Sequence, residues 1–505
     1  MWRSPVARFV RDEEAASSNL VIPTSIKVSQ TVCPADFFFF HAEKIVLGLS
    51  FPIKPYFCGK YQWEGLLPML VIASSVKLIK MKMKSRIVLL LTLLPLFGFA
   101  QYETHFEEAS LRIDYYLFGN ATTTHYAFKE MIREPYWGGS KHNLIDTLQF
   151  GNYLIEVFEQ ETGRLLFSKG YNNLYGEWQT TPEAERVWKG FEESAVVPFP
   201  KQKIEVVLSY RNRDGEKVEG LRLAVAPDDY FIRSYDDLHL PVYEAWTGNA
   251  DPAKAVDIVI LPDGYTQAEM GKFVSDCGFF VESLFKYAPY DRYRNSFNVR
   301  GVMAPSVDSD VTMPGDRVYR NTALHFTFWT FDSERYCMST DNKSIRDLAG
   351  QVPYDQIYIL VNTKKYGGGG IYNFYCVSAS GNSLSSDIII HEFGHGFAGL
   401  ADEYYDDSGG YEDMYNLKVE PWEPNITTMV DFNRKWADMI DRKTPVPTPR
   451  ETKYVDKVGV FEGGGYVPKG VYSPHIDCLM KTFEGDVFCP VCERAIERMI
   501  RYCSE

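Results

Sequence analysis

The sequence predicts an α+β protein, in which an N-terminal β-sandwich precedes a domain with a mixed sheet and a histidine-bearing motif helix. Residues 101–233 alternate apolar and polar side chains between strong turn signals, whereas strand and helix patterns alternate beyond residue 256. The motif HEFGH then begins at residue 391, after the last predicted strand. With 505 residues, of which 45% are hydrophobic and 15% aromatic, the chain is long enough for two globular domains.

Residues 81–100, MKMKSRIVLLLTLLPLFGFA, have the three parts of a secretory signal peptide. A basic end is followed by an apolar run and by small residues before Gln101. The apolar run is too short to span a bilayer comfortably. The sequence therefore predicts bacterial export and a mature chain that is secreted, periplasmic or attached to the cell surface.

Residues 1–80 stand upstream of this signal, although signal peptides begin at the initiator methionine. We expect this segment to be mis-annotated upstream translation, with Met81 or Met83 as the true start. The alternative is a genuine leader in which the apolar stretch 66–76 anchors the chain to a membrane. N-terminal sequencing of the natural protein distinguishes the two.

The charge of the predicted mature chain restricts its partners. Residues 101–505 carry 41 Lys and Arg against 61 Asp and Glu, a net charge of −20. This acidity argues against nucleic acid and against anionic membranes as partners. We expect a protein or glycoprotein as the partner and no integral membrane span in the mature chain, and the oligomeric state stays open.

The region 101–233 is predicted to be the β-sandwich. Residues 152–171 form one predicted hairpin, and residues 204–227 form another around Asp214-Gly215. The region has no cluster of His, Cys and acidic residues with metal-ligand spacing, so we expect an accessory domain. Because every candidate ligand lies beyond it, its deletion is predicted to leave peptide cleavage intact.

Residues 234–255 have the Pro, Gly and polar content of a linker, and residues 256–505 are predicted to form the catalytic domain. Thr266 and Glu269 have the spacing of a capping box for a helix that continues to about Tyr287. DIVILPDGYT (257–266) is predicted to be a strand followed by a turn, and further strands are predicted at 295–305, 354–363 and 370–380.

The motif helix is predicted to begin near Ser386. His391 and His395 are four residues apart and therefore share one helix face, from which both imidazoles can bind one zinc ion. Glu392 is turned aside from the pair but is close enough to accept a proton from water. The pattern favours a zinc site over two histidines and a glutamate on a solvated helix.

The third ligand is not at its usual place. In the commonest long form of this motif it stands ten residues after the first histidine, where this chain has Ala401. The glycine that ends such a helix is Gly399 here, one residue later than usual, and Asp402 follows it at the usual distance. We therefore predict that Asp402 is the third ligand, with Glu403 as the alternative.

The residues HEFGHGFAGLADEYY (391–405), CLM (478–480) and FCPVCERAI (488–496) resemble the IgA-peptidase family of secreted bacterial zinc metallopeptidases, a metzincin-like group. The resemblance spans most of the mature chain. It implies a zinc ion held by His391, His395 and Asp402, with Glu392 as general base and Met480 as the methionine of the turn beneath the metal. The expected activity is peptide-bond hydrolysis by an activated water molecule.

A function of another class is a non-catalytic binding or adhesive surface protein that retains zinc for structure. A structural zinc site is closed by four protein ligands, usually including Cys, whereas a catalytic site keeps one position open. The motif contains no cysteine, which favours catalysis.

Three further features are left with alternatives. Cys489-Pro-Val-Cys492 is interpreted as part of a disulfide clamp with Cys478 and Cys503, rather than as a redox motif or a second zinc site. The segment 364–375 is either a sheet edge that pairs with extended substrate or a flexible hairpin. The acidic stretch 402–413 is interpreted as a solvated loop rather than a calcium site.

Overall fold

The computed structural model describes residues 101–405, 414–483 and 487–505. Helices and several separate sheets occur within these ranges, so the prediction of an α+β protein is confirmed. The predictions for residues 1–80 and 81–100 lie outside the described residues. The same is true of positions 406–413 in the acidic stretch.

Eight strands form two four-stranded sheets in the N-terminal region: β1 (Phe106–Asn120), β2 (Thr123–Glu134), β3 (Tyr153–Glu159), β4 (Leu165–Tyr171), β5 (Lys189–Pro200), β6 (Ile204–Arg211), β7 (Lys217–Val225) and β8 (Ile232–Ser234). The strand orders are β5-β1-β2-β8 and β4-β3-β6-β7. All neighbouring strands are antiparallel except β2 and β8. Both predicted hairpins are present, and Gly215 adopts the positive φ of 78° that the turn between β6 and β7 requires.

A six-stranded mixed sheet forms the centre of the C-terminal region: β9 (Val242–Thr247), β10 (Val256–Asp263), β11 (Phe297–Val302), β12 (Gln356–Val361), β13 (Gly368–Gly370) and β14 (Cys376–Ala379). Its order is β13-β14-β12-β10-β11-β9. The four inner strands are parallel, and the two edge strands are antiparallel to their neighbours. Since β9 lies inside residues 234–255, part of the predicted linker is an edge strand of this sheet.

The described ranges also contain short 3-10 helices, the hairpin of β15 (Phe461–Gly464) with β16 (Val467–Ser473), and the helices α1 (Leu174–Trp178), α2 (Met270–Leu284), α3 (Asn342–Ala349), α4 (Ser385–Ala398) and α5 (Pro490–Ser504). The predicted capping box is present before α2, where Glu269 accepts a hydrogen bond from the backbone N–H of Thr266 at 2.9 Å. Across the described ranges, no helix is both long enough and apolar enough to cross a membrane.

The two faces of the mixed sheet pack against different partners. Ile258 and Ile260 of β10 belong to the core formed with α2, α4 and α5. Val259 and Leu261, which alternate with them, belong to a second core that includes side chains of both N-terminal sheets. The N-terminal region therefore shares one core with this face of the mixed sheet, and its removal would expose part of that core to water. This packing argues against the predicted tolerance of its deletion.

A buried ion-pair network also joins the two regions. The guanidinium of Arg112 in β1 is fully buried and donates to Asp114 at 3.0 Å and to Glu134 at 3.2 Å. It also donates to Asp347 in α3 at 2.7 Å. Because a buried cation needs nearby anions, this network depends on both regions being in place.

Candidate active site

The motif helix α4 follows β14, the last strand of the mixed sheet. Ile388, Ile389 and Ile390 are buried in its first half and anchor it to the core. The helix ends at Gly399, which adopts a left-handed φ of 64°. A Cβ atom at this position would lie 2.7 Å from the Trp422 ring, so both conformation and space require glycine.

The reversal at Gly399 brings Asp402 to the two motif histidines. Asp402 Oδ1 lies 3.1 Å from His391 Nε2 and 3.4 Å from His395 Nε2. The two Nε2 atoms are 3.1 Å apart. Each Nδ1 is paired with a backbone carbonyl, that of Leu479 at 3.0 Å for His391 and that of Leu400 at 2.6 Å for His395. These bonds orient each imidazole so that Nε2 faces the carboxylate.

The donor set fits a zinc ion. With bonds of about 2.0–2.1 Å, tetrahedral coordination places ligand atoms about 3.3 Å apart, which matches the three separations given above. Asp402 Oδ1 is buried and has no aligned hydrogen-bond donor within the described ranges. A buried carboxylate oxygen without a donor is costly unless a cation approaches it. The residue types, spacing and exposed lone pairs are therefore those of a metal site.

In the absence of a metal, the imidazoles and the Asp402 carboxylate stabilise one another's charges. Burial lowers the pKa of His395, but the Asp402 carboxylate outweighs this effect and raises that pKa to about 9. Burial raises the pKa of Asp402, but His395 and His391 lower it well below its ordinary value. Asp402 is thus ionised at neutral pH, as a metal ligand must be.

Glu392 lies beside this cluster on the same helix and is partly exposed. Burial raises the pKa of its carboxyl group, against the opposing effect of the two histidines. Strand β13 runs directly alongside it. A Cβ atom at Gly368 would lie 3.2 Å from Glu392 Oε1, and one at Gly370 would lie 2.3 Å from the Glu392 carbonyl oxygen. The glycines of β13 thus allow the sheet edge to approach the motif helix closely.

The outer edge of β13 already makes backbone hydrogen bonds with another segment of this chain at one residue. Gly368 donates its N–H to the carbonyl of Arg335 at 3.3 Å and accepts from the N–H of Cys337 at 3.5 Å. The proposal that the segment 364–375 pairs with extended substrate is therefore wrong at Gly368, because another segment of this chain occupies those groups.

Met480 lies beneath the motif helix. Its side chain is fully buried, and a Cβ atom at Gly394, between the two histidines, would lie 2.9 Å from its sulfur. Its backbone carbonyl accepts a hydrogen bond from the N–H of Glu403 at 2.7 Å. The turn that contains Met480 thus supports both the motif helix and the segment that carries Asp402.

Glu403 points away from the histidines. Its carboxylate accepts hydrogen bonds from Asn425 and Cys492, each at 3.0 Å. The structure therefore places Asp402 beside the histidines. Glu403, the alternative ligand, lies away from them.

The proposed disulfide clamp at the C-terminal helix is wrong. Cys478, Cys489, Cys492 and Cys503 are all free thiols, as are the other cysteines of the described ranges. The physical reason lies in Glu403, whose carboxylate lies among three of these thiols in one buried cluster.

Sequence reasoning missed Tyr466 and Tyr404. Tyr466 follows the turn between β15 and β16, has a left-handed φ of 67°, and donates its hydroxyl hydrogen to Asp402 Oδ2. The hydroxyl of Tyr404 lies 3.4 Å from that of Tyr466. The run Gly463-Gly464-Gly465-Tyr466 indicates a turn, but nothing in it predicts contact with Asp402.

Glu177 of α1 was also missed. It accepts a hydrogen bond from the hydroxyl of Tyr336 and lies close enough to His395, Glu392 and Asp402 to interact electrostatically with them. Burial raises the pKa of Glu177 to about 7, although the bond from Tyr336 opposes this. The N-terminal region therefore contributes a titratable group to the electrostatics of the site.

Fold and site together define an α+β hydrolase candidate, in which two histidines of the motif helix and a carboxylate from the segment after it form one cluster. Family comparison gives the particular group. A model described as IgA Peptidase M64 matches residues 245–456 and 450–500, and one described as Peptidase M64 N-terminus matches residues 101–221. The chain belongs to the IgA peptidase M64 family, which confirms the resemblance found in its motifs, and the family assignment makes it a peptidase. Among curated proteins, none matches this sequence.

Proposed function

We propose that this protein is an exported zinc-dependent endopeptidase that hydrolyses peptide bonds of protein or glycoprotein substrates. One observation carries the proposal. The Nε2 atoms of His391 and His395 and the Oδ1 atom of Asp402 lie within 3.4 Å of one another, beside the carboxylate of Glu392. The family assignment independently supports the peptidase class.

His391, His395 and Asp402 are the residues that would hold the metal. A zinc ion bound there supplies Lewis acidity, which lowers the pKa of a water molecule and stabilises negative charge on a carbonyl oxygen. The carbonyls of Leu479 and Leu400 keep the two imidazoles in the orientation that binding needs. Tyr466 restrains the Asp402 carboxylate through its second oxygen.

Glu392 acts as the general base and then as the general acid. Its carboxylate accepts a proton from the water molecule as the water oxygen attacks the peptide carbonyl carbon. The same proton then passes to the amine nitrogen as the C–N bond breaks. The raised pKa of Glu392 makes the carboxylate a stronger base, which suits this exchange near neutral pH.

The alternative function is a non-catalytic binding or adhesive surface protein with a structural zinc. His391, His395 and Asp402, which we call the histidine cluster, offer three protein ligands and no cysteine within the described ranges. Structural sites usually have four ligands and include Cys. This composition favours catalysis.

Export is supported by the signal-like segment 81–100. N-terminal sequencing of the protein from its natural host tests the proposal. The expected first residue is Gln101, and a chain that begins upstream of Met81 would contradict cleavage at this signal.

Cleavage profiling tests the proposed activity. The purified protein is incubated with a peptide library and with a folded glycoprotein, and new peptide termini are identified by mass spectrometry. Termini that disappear with a zinc chelator and return with added zinc are expected. The control is the double variant His391→Ala/His395→Ala, which should produce none. A zinc-loaded wild-type protein that releases no peptide from either substrate would support the binding function instead.

A further inference from the structure

A second group of possible metal ligands lies apart from the histidine cluster. It consists of Glu403, Cys478, Cys489 and Cys492, and we call it the cysteine cluster. Its four ligand atoms all lie within 4.8 Å of one another. Every one of these residues is at most 3% exposed.

The carboxylate of Glu403 is incompletely satisfied in this environment. Oε1 accepts from Asn425 and from the Cys492 thiol, both at 3.0 Å, and the Cys489 sulfur is 3.9 Å away. Oε2 is buried and has no hydrogen-bond partner in the part of the chain that the structure describes. Lys481 is near enough to interact electrostatically, but its amino group makes no hydrogen bond within the same ranges. Ionisation of a carboxyl group in this state is strongly disfavoured unless a cation lies closer to it.

The sulfur atoms are arranged for binding a cation. Cys489 is the N-cap of α5, and Cys492 lies in the first turn of that helix, where the helix dipole stabilises thiolates. The backbone N–H of Cys489 donates to the sulfur of Cys478 at 3.2 Å. A Cys-x-x-Cys pair, a third Cys and a carboxylate are ligands that zinc accepts in tetrahedral geometry.

Two other roles for these thiols agree less well with the geometry. A disulfide between any two of them would leave the third thiol and the Glu403 carboxylate buried together without a cation. A thiol-exchange motif must be reached by a partner thiol, whereas Cys489 is only 3% exposed and Cys492 is fully buried.

We propose that Glu403, Cys478, Cys489 and Cys492 bind a second zinc ion in a closed structural site with four protein ligands. This proposal does not depend on the proposed catalytic mechanism. The ion neutralises the Glu403 carboxylate and uses all four ligands, so it leaves no position for substrate.

The second ion cross-links three segments that are distant in the sequence. Glu403 follows Asp402 directly, and Cys478 precedes Leu479, whose carbonyl is hydrogen-bonded to His391. The remaining two ligands fix the start of α5. The cysteine cluster therefore performs the task expected of a disulfide clamp and also holds two parts of the histidine cluster in place.

Metal content tests the proposal on the full chain, purified with a phosphine reductant. Inductively coupled plasma mass spectrometry is expected to find two zinc ions per chain. The variant His391→Ala/His395→Ala should retain one, because it removes only the histidine cluster. If that variant binds no zinc while wild type binds one, the second site does not exist. The peptidase proposal is unaffected by this result.

Cobalt gives a second readout that needs no cysteine variant to fold. Co²⁺ bound to the His391→Ala/His395→Ala variant should show thiolate-to-metal charge-transfer absorption in the near ultraviolet, since the histidine cluster contains no sulfur. In the same double-histidine background, Cys492→Ser should weaken this absorption, because it removes one of three thiolates, and Cys503→Ser, a matched change on the same helix, should keep it. Absence of the band in the double-histidine variant would overturn the proposal. The same holds if denatured, chelator-treated protein purified without reductant has two fewer titratable thiols than the reduced protein.

Discussion

Tyr466 donates its hydroxyl hydrogen to Oδ2 of Asp402, while Oδ1 of the same carboxylate faces both motif histidines. The two oxygens of one side chain thus have separate tasks. One is held by a residue 64 positions away in the sequence, and the other faces the two imidazoles. This division gives the Asp402 carboxylate a defined orientation although it lies on an irregular segment.

The first prediction concerns this bond. Tyr466→Phe removes the donor and leaves Asp402 free to rotate, so zinc affinity should fall roughly ten- to a hundredfold, as for other groups that orient a metal ligand. Competition with a fluorescent zinc chelator measures the change. Tyr404→Phe is the comparison variant: its hydroxyl lies 3.4 Å from that of Tyr466 and also interacts with Asp402, and its loss should have a smaller effect because Tyr466 still donates to Oδ2. Equal affinity in Tyr466→Phe and wild type would remove Tyr466 from this role.

The second prediction concerns Glu392. Glu392→Gln keeps nearly the same size but cannot accept a proton, so hydrolysis should fall by about a hundredfold or more while zinc content and thermal unfolding stay unchanged. A peptide substrate and metal analysis measure the two quantities on the same sample. Near-normal activity in this variant would show that another group takes the proton.

The third prediction concerns the connection between the two regions. Arg112→Met leaves three carboxylates without their buried cation, so the free energy of unfolding should fall by about 3–5 kcal/mol. Arg222→Met, which breaks an exposed pair with Glu205 and Glu219, should cost far less, because solvent screens exposed ion pairs. Denaturant titration followed by tryptophan fluorescence gives both values. Similar costs for the two variants would mean that the network contributes little.

Local patterns in the sequence predicted the elements that depend on local interactions. The turn at Asp214-Gly215, the capping box at Thr266 and the motif helix were all found in this way, because each is defined by residues a few positions apart. The placement of Asp402 near the histidines was also derivable, since Gly399 fixes where the chain reverses.

Features that depend on distant residues were missed or misjudged. Val242–Thr247 has the composition of a linker, yet it forms a strand because β11 offers it an unpaired edge. The Cys489 and Cys492 pair suggested a disulfide clamp because the sequence does not reveal that Glu403 lies between the thiols. No sequence pattern around Tyr466 predicts its contact with Asp402, because that contact depends on a hairpin that folds back against Asp402.

The fourth prediction concerns pH. Glu193 is buried on β5, and burial raises its pKa to about 8, although the backbone N–H of Tyr175 opposes this. The folded protein therefore holds this proton more tightly than the unfolded chain, whose Glu pKa is about 4.5. The associated stability is present below pH 4.5 and is lost as the pH rises toward 8. Glu193→Gln should flatten this part of the curve and increase stability at pH 8.

Denaturant midpoints at several pH values between 5 and 8 measure the effect. Glu219→Gln is the control, because the hydrogen bond from Arg222 lowers the pKa of Glu219, so that this carboxylate stays ionised between pH 5 and 8. Its curve should remain parallel to that of wild type. A Glu193→Gln curve with the same slope as wild type would show that Glu193 does not titrate in this range.

The last prediction separates the two adjacent carboxylates. Asp402→Ala removes the oxygen that faces His391 and His395, leaving two protein ligands, so zinc at the histidine cluster and hydrolysis should be lost together. Glu403→Gln keeps a side chain of the same length that points toward Asn425 and Cys492, so hydrolysis should persist, at a reduced level if the loop becomes less rigid. Zinc titration monitored by peptide cleavage distinguishes the variants, since only the histidine cluster supports activity. If Glu403→Gln is inactive at every zinc concentration while Asp402→Ala is restored by excess zinc, the two carboxylates have the opposite roles, and the reversal at Gly399 does not deliver the third ligand.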